Sequence, residues 1–455
     1  MSFFFSTKQN RPYDIMRPFL IICILALACS PYAGAADAIS FRSQVAPVLI
    51  ENCVACHGAK KAEGGYRIDT FEYLMKSGDS GAATVTAEKL DASELYRRLV
   101  TADHSERMPA DSEPLAPAHV ELVKNWISSG AAFDGEKPTD PLYLVVPPAV
   151  YPDPPAKYPA PIPISSVAFS LDGSQIYAAG YHELTCWSTA DGTLLNRIKN
   201  IGQRVYAISV SPDGTRVAVG CGTPGKSGEV RIVDIASGKV ILIGCRTTDV
   251  VLDVVYSPNG ERLAVGGADG LIRIVDAQTC KEQHIIASHA DWVNAVRWSA
   301  DGKQLASASR DKSAKVYSSE TGELVISYAG HGASVRGIAF LPDGLQILSV
   351  GDDKKLHRWS IEGAKKVAEV TFGGTAFKLA GGTDFVLVPS ADKLVHRVEL
   401  QKNQEAMKYE GLQDWALGTA VHPATGQVVA SSNDGELRLW KAAEGTLIRS
   451  WIGMP

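Results

Sequence analysis

Basic residues are not in excess in this 455-residue chain. Lys and Arg total 45 against 50 Asp and Glu, a formal net charge of −5. That balance argues against nucleic acid or an anionic membrane surface as a main partner. Long apolar runs are also missing, with one exception. "FLIICILALAC", residues 19–29, is about half of the roughly 20 residues that a spanning helix needs. It follows Lys8, Arg11 and Arg17 and precedes "AGAADA", the order of a secretory signal peptide over residues 1–35, with cleavage after Ala35 or Ala36. The same run has two other readings, a membrane anchor or lipid attachment at Cys29, where "ALAC" departs from a lipoprotein cleavage box at its Leu. The expectation is export, to a periplasm or a cell surface, with a membrane involved only through a lipid tether.

A disulfide framework is absent too. Of eight cysteines, Cys23 and Cys29 fall in the leader, and Cys186, Cys221, Cys245 and Cys280 are scattered singly without a framework spacing. These four read as buried thiols, although an oxidising compartment would permit pairing. The remaining two sit together in "ENCVACHGAKKAEGG", residues 51–65. Cys53-x-x-Cys56-His57 is the attachment signature of c-type haem. One chain turn presents both sulfurs to one porphyrin edge, and the next imidazole ligates the iron. A thioredoxin-like redox pair would need a surrounding βαβ pattern, and half of a zinc site would need a second Cys pair nearby; neither is present in the sequence.

Methionine is scarce, with six in the chain and two, Met75 and Met108, between this motif and residue 137. Met108, in "RMPADSEPL", is the candidate sixth ligand, since a thioether stabilises reduced iron. Met75 has apolar neighbours at helical spacing and reads as core; His104 and His119 are the alternatives, His119 as an exposed residue in the first turn of the last helix. Helices are expected over 41–56, with Pro47 at a kink or a start, over "DASELYRRLV" with Asp91 and Glu94 as a capping box, and over "APAHVELVKNWISSG" with Gly130 as its stop. Together these describe a small all-α, class I cytochrome c-like domain over residues 36–136.

"VAPVLIENCVACHG", "GGYRIDT", "SELYRRLV", "RMPADSEPL" and "VKNWISSGA" occur in the order of the planctomycete-type cytochrome c domain, which residues 41–134 resemble. The resemblance implies one covalent haem c, with Cys53, Cys56 and His57 as attachment and proximal ligand and Met108 as distal ligand. It does not imply a substrate. Residues 41–136 hold 10 basic and 15 acidic residues, so the acidity of the chain is concentrated here. A redox partner protein with a basic face is expected.

Residues 137–163 contain ten prolines, which cannot donate to a helix or sheet ladder, and read as a semi-rigid linker. Beyond it the chain repeats. Turn signals place Gly173, Gly214, Gly260, Gly302, Gly344 and Gly426 at gaps of 41, 46, 42, 42 and 82, the last leaving room for one degenerate unit near "LAGGTDF". Four short strands about every 42 residues, seven times over, describe an all-β seven-bladed propeller over 164–455. His289, Ser307, Asp311 and Tyr317 in blade 4, and His331, Ser349, Asp353 and Trp359 in blade 5, share the same offsets. They resemble the WD40 repeat and its hydrogen-bonding tetrad, which is structural. Other blades keep fragments: Trp187, Asp269, Asp434 and Trp440. The ring is expected to close without exchanging a strand, unless "LYLVV" at 142–146 supplies one.

"GCGTPGKS", residues 220–227, matches a phosphate loop but precedes a strand-like "GEVRIVD", so a lengthened hairpin is the expectation. The chain therefore reads as a multidomain protein: an exported electron carrier with a propeller that docks a protein partner. The alternatives are a cytochrome cd1-like redox enzyme with a second cofactor in its propeller, or a haem-bearing scaffold or sensor. Against the enzyme stand ordinary WD40-like blades and scattered histidines (His182, His284, His357, His396, His422).

Overall fold

A computed structural model describes residues 38–381 and 384–454. The expected signal segment, residues 1–35 with Cys29, lies outside the described residues. Among the described residues, no helix is long and apolar enough to cross a membrane.

The first part is helical. A π-helical turn, Phe41–Val45, runs into α1, Ala46–Asn52, with Pro47 in its first turn where no N–H is needed. Then follow α2, Phe71–Leu74, α3, Glu94–Val100, α4, Pro117–Ser128, and α5, Leu142–Val145. An aromatic cluster holds them. Phe41 packs edge-on to Phe71 at 4.9 Å and against Trp126 at 5.4 Å, and Trp126 donates to the Ala132 carbonyl. Val123, Trp126 and Ile127 form the buried face of α4, and Gly130, at φ +104, ends it.

Two local expectations do not hold. Asp91 and Glu94 form no capping box: Asp91 lies in a 3₁₀ turn, α3 starts at Glu94, and the Ser93 hydroxyl is engaged with Thr86 and Lys89. Glu94 instead pairs with Arg97 and Arg98. "LYLVV" is helix, not strand: Leu142 and Val145 are buried, and the Leu142 N–H donates to the Asp69 carbonyl.

The second part is a seven-bladed β-propeller of seven four-stranded antiparallel sheets, each built from four consecutive strands. Among the described residues no strand is exchanged between blades. The ring closes through contacts between blades 7 and 1, including the Thr185 hydroxyl to the Gly453 carbonyl at 3.0 Å. The repeating turn explains the sequence period. In blade 1 the Asp172 carboxylate accepts from the Ser170 hydroxyl and the Ser174 N–H, while Gly173 takes φ +72, open to glycine at no steric cost. Ser211–Asp213 and Ser299–Asp301 repeat the arrangement. Second strands such as Arg262–Gly267 are buried almost throughout, because neighbouring blades cover both faces. Blade 6 is the degenerate unit, with an inner strand of only Ala380–Gly381.

The tetrad is complete in blade 5: His331 bonds Asp353 and Ser349, both at 2.8 Å, and Trp359 Nε1 donates to Ser349 at 3.1 Å. In blade 4, His289 bonds Asp311 and Ser307, but the Tyr317 hydroxyl has no partner among the described residues. Elsewhere the polar sites are refilled: Asp269 pairs with Arg273 in blade 3, and Asp392 with His396 in blade 6.

The proline-rich segment carries no ladder, as its composition requires, yet it is not a free spacer. It is strapped along the propeller by side chains. Arg231 donates to the Ala149 carbonyl, Arg197 to the Pro155 and Ala156 carbonyls, and the Tyr158 hydroxyl to Glu183. Ten prolines leave the segment short of N–H donors, so cations of blades 1 and 2 satisfy carbonyls that it cannot pair itself.

Candidate functional site

The Cys53–His57 turn caps α1. Cys53 N–H donates to the Leu49 carbonyl, and the Cys56 and His57 N–H groups both donate to the Cys53 carbonyl. A single turn thus fixes all three side chains. The chain then doubles back: Gly64 and Gly65 both take φ +63, and a Cβ on Gly65 would lie 2.1 Å from Asp79 Oδ1. The Asp79 N–H closes onto the Gly64 carbonyl at 2.8 Å. The glycine pair in "GGYRIDT" is therefore required for the loop at 64–66 to meet the loop at 78–79.

These loops, α3 and the segment after it enclose a cavity of about 270 Å³. Cys53, His57 and Met108 all line it, with Ile68, Leu95 and Leu99 as apolar wall. Met108 is held there by its N–H, which donates to the Arg98 carbonyl at 2.9 Å. Cys56 is exposed beside the cavity, outside its lining. His104 is exposed, His119 is half-buried and Met75 is partly buried, and none of the three lines the cavity.

His57 Nδ1 faces the Tyr66 carbonyl at 3.4 Å, and the two rings lie 5.4 Å apart. A carbonyl at Nδ1 selects the tautomer that leaves Nε2 free to ligate. Burial pushes the Cys53 thiol up to about 12, with Cys56 adding to the shift. At the rim, Arg97 and then Arg98 hold the Glu94 carboxyl down to about 2. The donor set of two thiols, an imidazole and a thioether beside an apolar cavity fits a c-type haem. Sequence reasoning missed the polar rim of Glu94, Arg98, Asp79 and Ser80, which depends on loops meeting across the cavity.

The other four described cysteines, Cys186, Cys221, Cys245 and Cys280, are buried and unpaired in the propeller. Burial pushes Cys186 and Cys280 up to about 11 and Cys221 and Cys245 up to about 12, so all four are packing groups and not reactive thiolates.

Two parts of the chain match known families. Residues 53–112 match the family described as planctomycete cytochrome C. Residues 239–276, 280–318 and 322–360 match the WD domain, G-beta repeat. Each repeat match starts at the outermost strand of one blade and ends at the third strand of the next, so the sequence repeat is offset from the blade by one strand. The human intraflagellar transport protein 122 homolog is 30% identical over 101 residues, which is 22% of this chain. The chain spans 8% of the length of that curated relative.

Proposed function

We propose that this protein is an exported c-type cytochrome whose propeller docks a protein partner. The observation that carries the reading is the gathering of Cys53, His57 and Met108 around one cavity with an apolar wall. In this reading Cys53 and Cys56 attach one haem through thioether bonds, and His57 and Met108 ligate its iron, within a class I cytochrome c-like fold. The haem supplies one-electron redox chemistry. The chain's own residues orient and enclose it. The Tyr66 carbonyl sets the His57 ring, Arg98 positions Met108 through its carbonyl, and Ile68, Leu95 and Leu99 exclude water. Excess acid over residues 41–136 favours a redox partner with a basic face.

The test is the pyridine haemochrome spectrum of the purified full chain. One c-type haem per chain is expected, retained through denaturing electrophoresis and lost from the Cys53→Ala/Cys56→Ala variant. A second cofactor in the spectrum would replace this reading with that of a redox enzyme. Electron transfer from a cationic donor should slow as salt is added; a flat response would remove the basic partner. A mature N-terminus at residue 36 or 37 is the expected mark of export.

A further inference from the structure

The innermost strands of the propeller surround a central channel, and Lys378 of blade 6 crosses it. Its ammonium donates to the Tyr206 carbonyl in blade 2 at 3.2 Å, and in blade 3 to the Leu252 carbonyl at 2.5 Å and Asp253 Oδ1 at 2.9 Å. All three ammonium hydrogens are thereby used. The side chain borders two chambers. One lies at the starts of the inner strands, by Tyr206, Leu252, Asn294 and Arg336. The other is a cavity of about 180 Å³, by Ser166, Ser209, Asp253, Arg297 and Thr419.

The second chamber has one carboxylate facing two cations. Asp253, its side chain 3% exposed, accepts from Lys378, from Arg297 Nη1 at 2.6 Å and from the Val296 N–H at 2.9 Å. Arg297 is anchored through Nη1 alone, which also donates to the Val296 carbonyl at 2.6 Å. Its Nε and Nη2 make no hydrogen bond to any described residue, and its side chain remains 26% exposed. That free edge carries two parallel N–H groups, the fork that matches a carboxylate in a bidentate pair. The Ser166 hydroxyl makes no hydrogen bond to a described residue, and the Ser209 hydroxyl accepts from Tyr256 while its own hydrogen remains to be donated. At about 30 Å³ per water, the chamber has room for about six water-sized groups. That is the size of a carboxylate of two to four carbons.

We infer that this chamber binds a small carboxylate, held by the Nε–Nη2 edge of Arg297 with Ser166 and Ser209 donating beside it. The channel is then a ligand site and not only the hub of a docking scaffold.

The test is calorimetric titration of the full chain with sodium acetate and with sodium butyrate at constant ionic strength, against sodium sulfate and sodium chloride. Saturable one-to-one binding of a carboxylate is expected. Binding should weaken about tenfold or more in Arg297→Lys, which keeps the charge toward Asp253 but lacks the fork. A second variant, Ser166→Leu, fills the chamber from a half-buried position and should abolish binding even if Arg297→Lys fails to fold. Absence of saturable binding, equal binding of sulfate and carboxylate, or affinity unchanged in the variants would overturn the assignment.

Discussion

Lys226 Nζ lies 3.0 Å from Glu51 Oε1, joining the long hairpin of blade 2 to the helix that carries the Cys53–His57 turn. The strands around it, Arg216–Thr223, Ser227–Asp234 and Lys239–Thr247, have eight, eight and nine residues, longer than those of the other blades. Arg246, on the last of them, donates to the Leu144 and Val146 carbonyls at the end of α5. The extra length of this blade thus reaches the helical part. It also accounts for "GCGTPGKS": Lys226 sits in a hairpin turn followed by a strand, where a phosphate loop needs a helix N-terminus.

Both members of the Lys226–Glu51 pair are more than half exposed, so the contact orients more than it stabilises. Lys226→Ala should cost no more than about 1 kcal/mol in urea unfolding. The thermal midpoint should not respond to added ATP in either protein. An ATP-dependent rise in the wild type, lost in the variant, would restore the phosphate-loop reading.

Arg231 is the opposite case. It is fully buried, stacks over the Tyr151 ring at 4.8 Å, pairs with Glu229 at 2.6 Å and bonds the Ala149 and Asn200 carbonyls. Arg231→Met leaves Glu229 buried without its cation and two carbonyls unpaired. A loss of about 3–5 kcal/mol is expected. Limited proteolysis should then cut within residues 147–163 faster than in the wild type. An unchanged rate would mean that Arg231 does not hold the strap.

The His331 and His357 rings stack at 4.0 Å in blade 5. Burial first, and then His331, lowers the His357 pKa from 6.5 to about 4; Asp353 and Glu369 oppose this and Lys366 adds to it. Above pH 6.5 the ring is neutral in both folded and unfolded chains, and its contribution to stability is complete. Between about pH 6.5 and 4 the unfolded chain binds the proton and the folded chain does not, so stability falls as pH falls. The full shift corresponds to about 3–4 kcal/mol as an upper bound, and solvent screening through the partly exposed surroundings brings the loss below that. Urea midpoints measured from pH 7 to 4 should fall less steeply in His357→Gln; parallel slopes would acquit this residue.

Met108→Ala is expected to speed carbon monoxide binding to the reduced protein and to lower its midpoint potential, because a thioether ligand favours the reduced state. Rapid binding to the reduced wild type, or equal rates in both, would remove Met108 as the sixth ligand. Met75→Ala serves as the control, since Met75 does not line the cavity.

What was legible in the sequence was local or periodic. The Ser–x–Asp–Gly turns close on themselves, as the Ser170–Asp172 bond shows, so their spacing reveals the blades without knowledge of the neighbours. The Cys53–His57 turn is equally self-contained, since its backbone bonds run to Leu49 and Cys53. The capping box failed because Asp91 is taken up in a 3₁₀ turn ahead of the helix while Glu94 pairs with Arg97 and Arg98, and "LYLVV" was misleading because its apolar run suits a strand or a buried helical turn alike.

The sequence by itself determined the chemistry on offer, two thiols, an imidazole and a thioether, and the seven-fold repetition of the propeller, because each rests on contacts within a few residues. Only the tertiary structure decided that Met108 shares a cavity with His57 while His104 and His119 do not. It alone decided that the proline segment is strapped down by Arg197 and Arg231, and that Lys378 and Arg297 converge on Asp253 across the channel. Those partners lie tens to more than a hundred residues apart in the chain. The Lys378–Asp253 meeting depends on the closure of the ring and the others on how helices, loops and the proline segment pack, which no local propensity encodes.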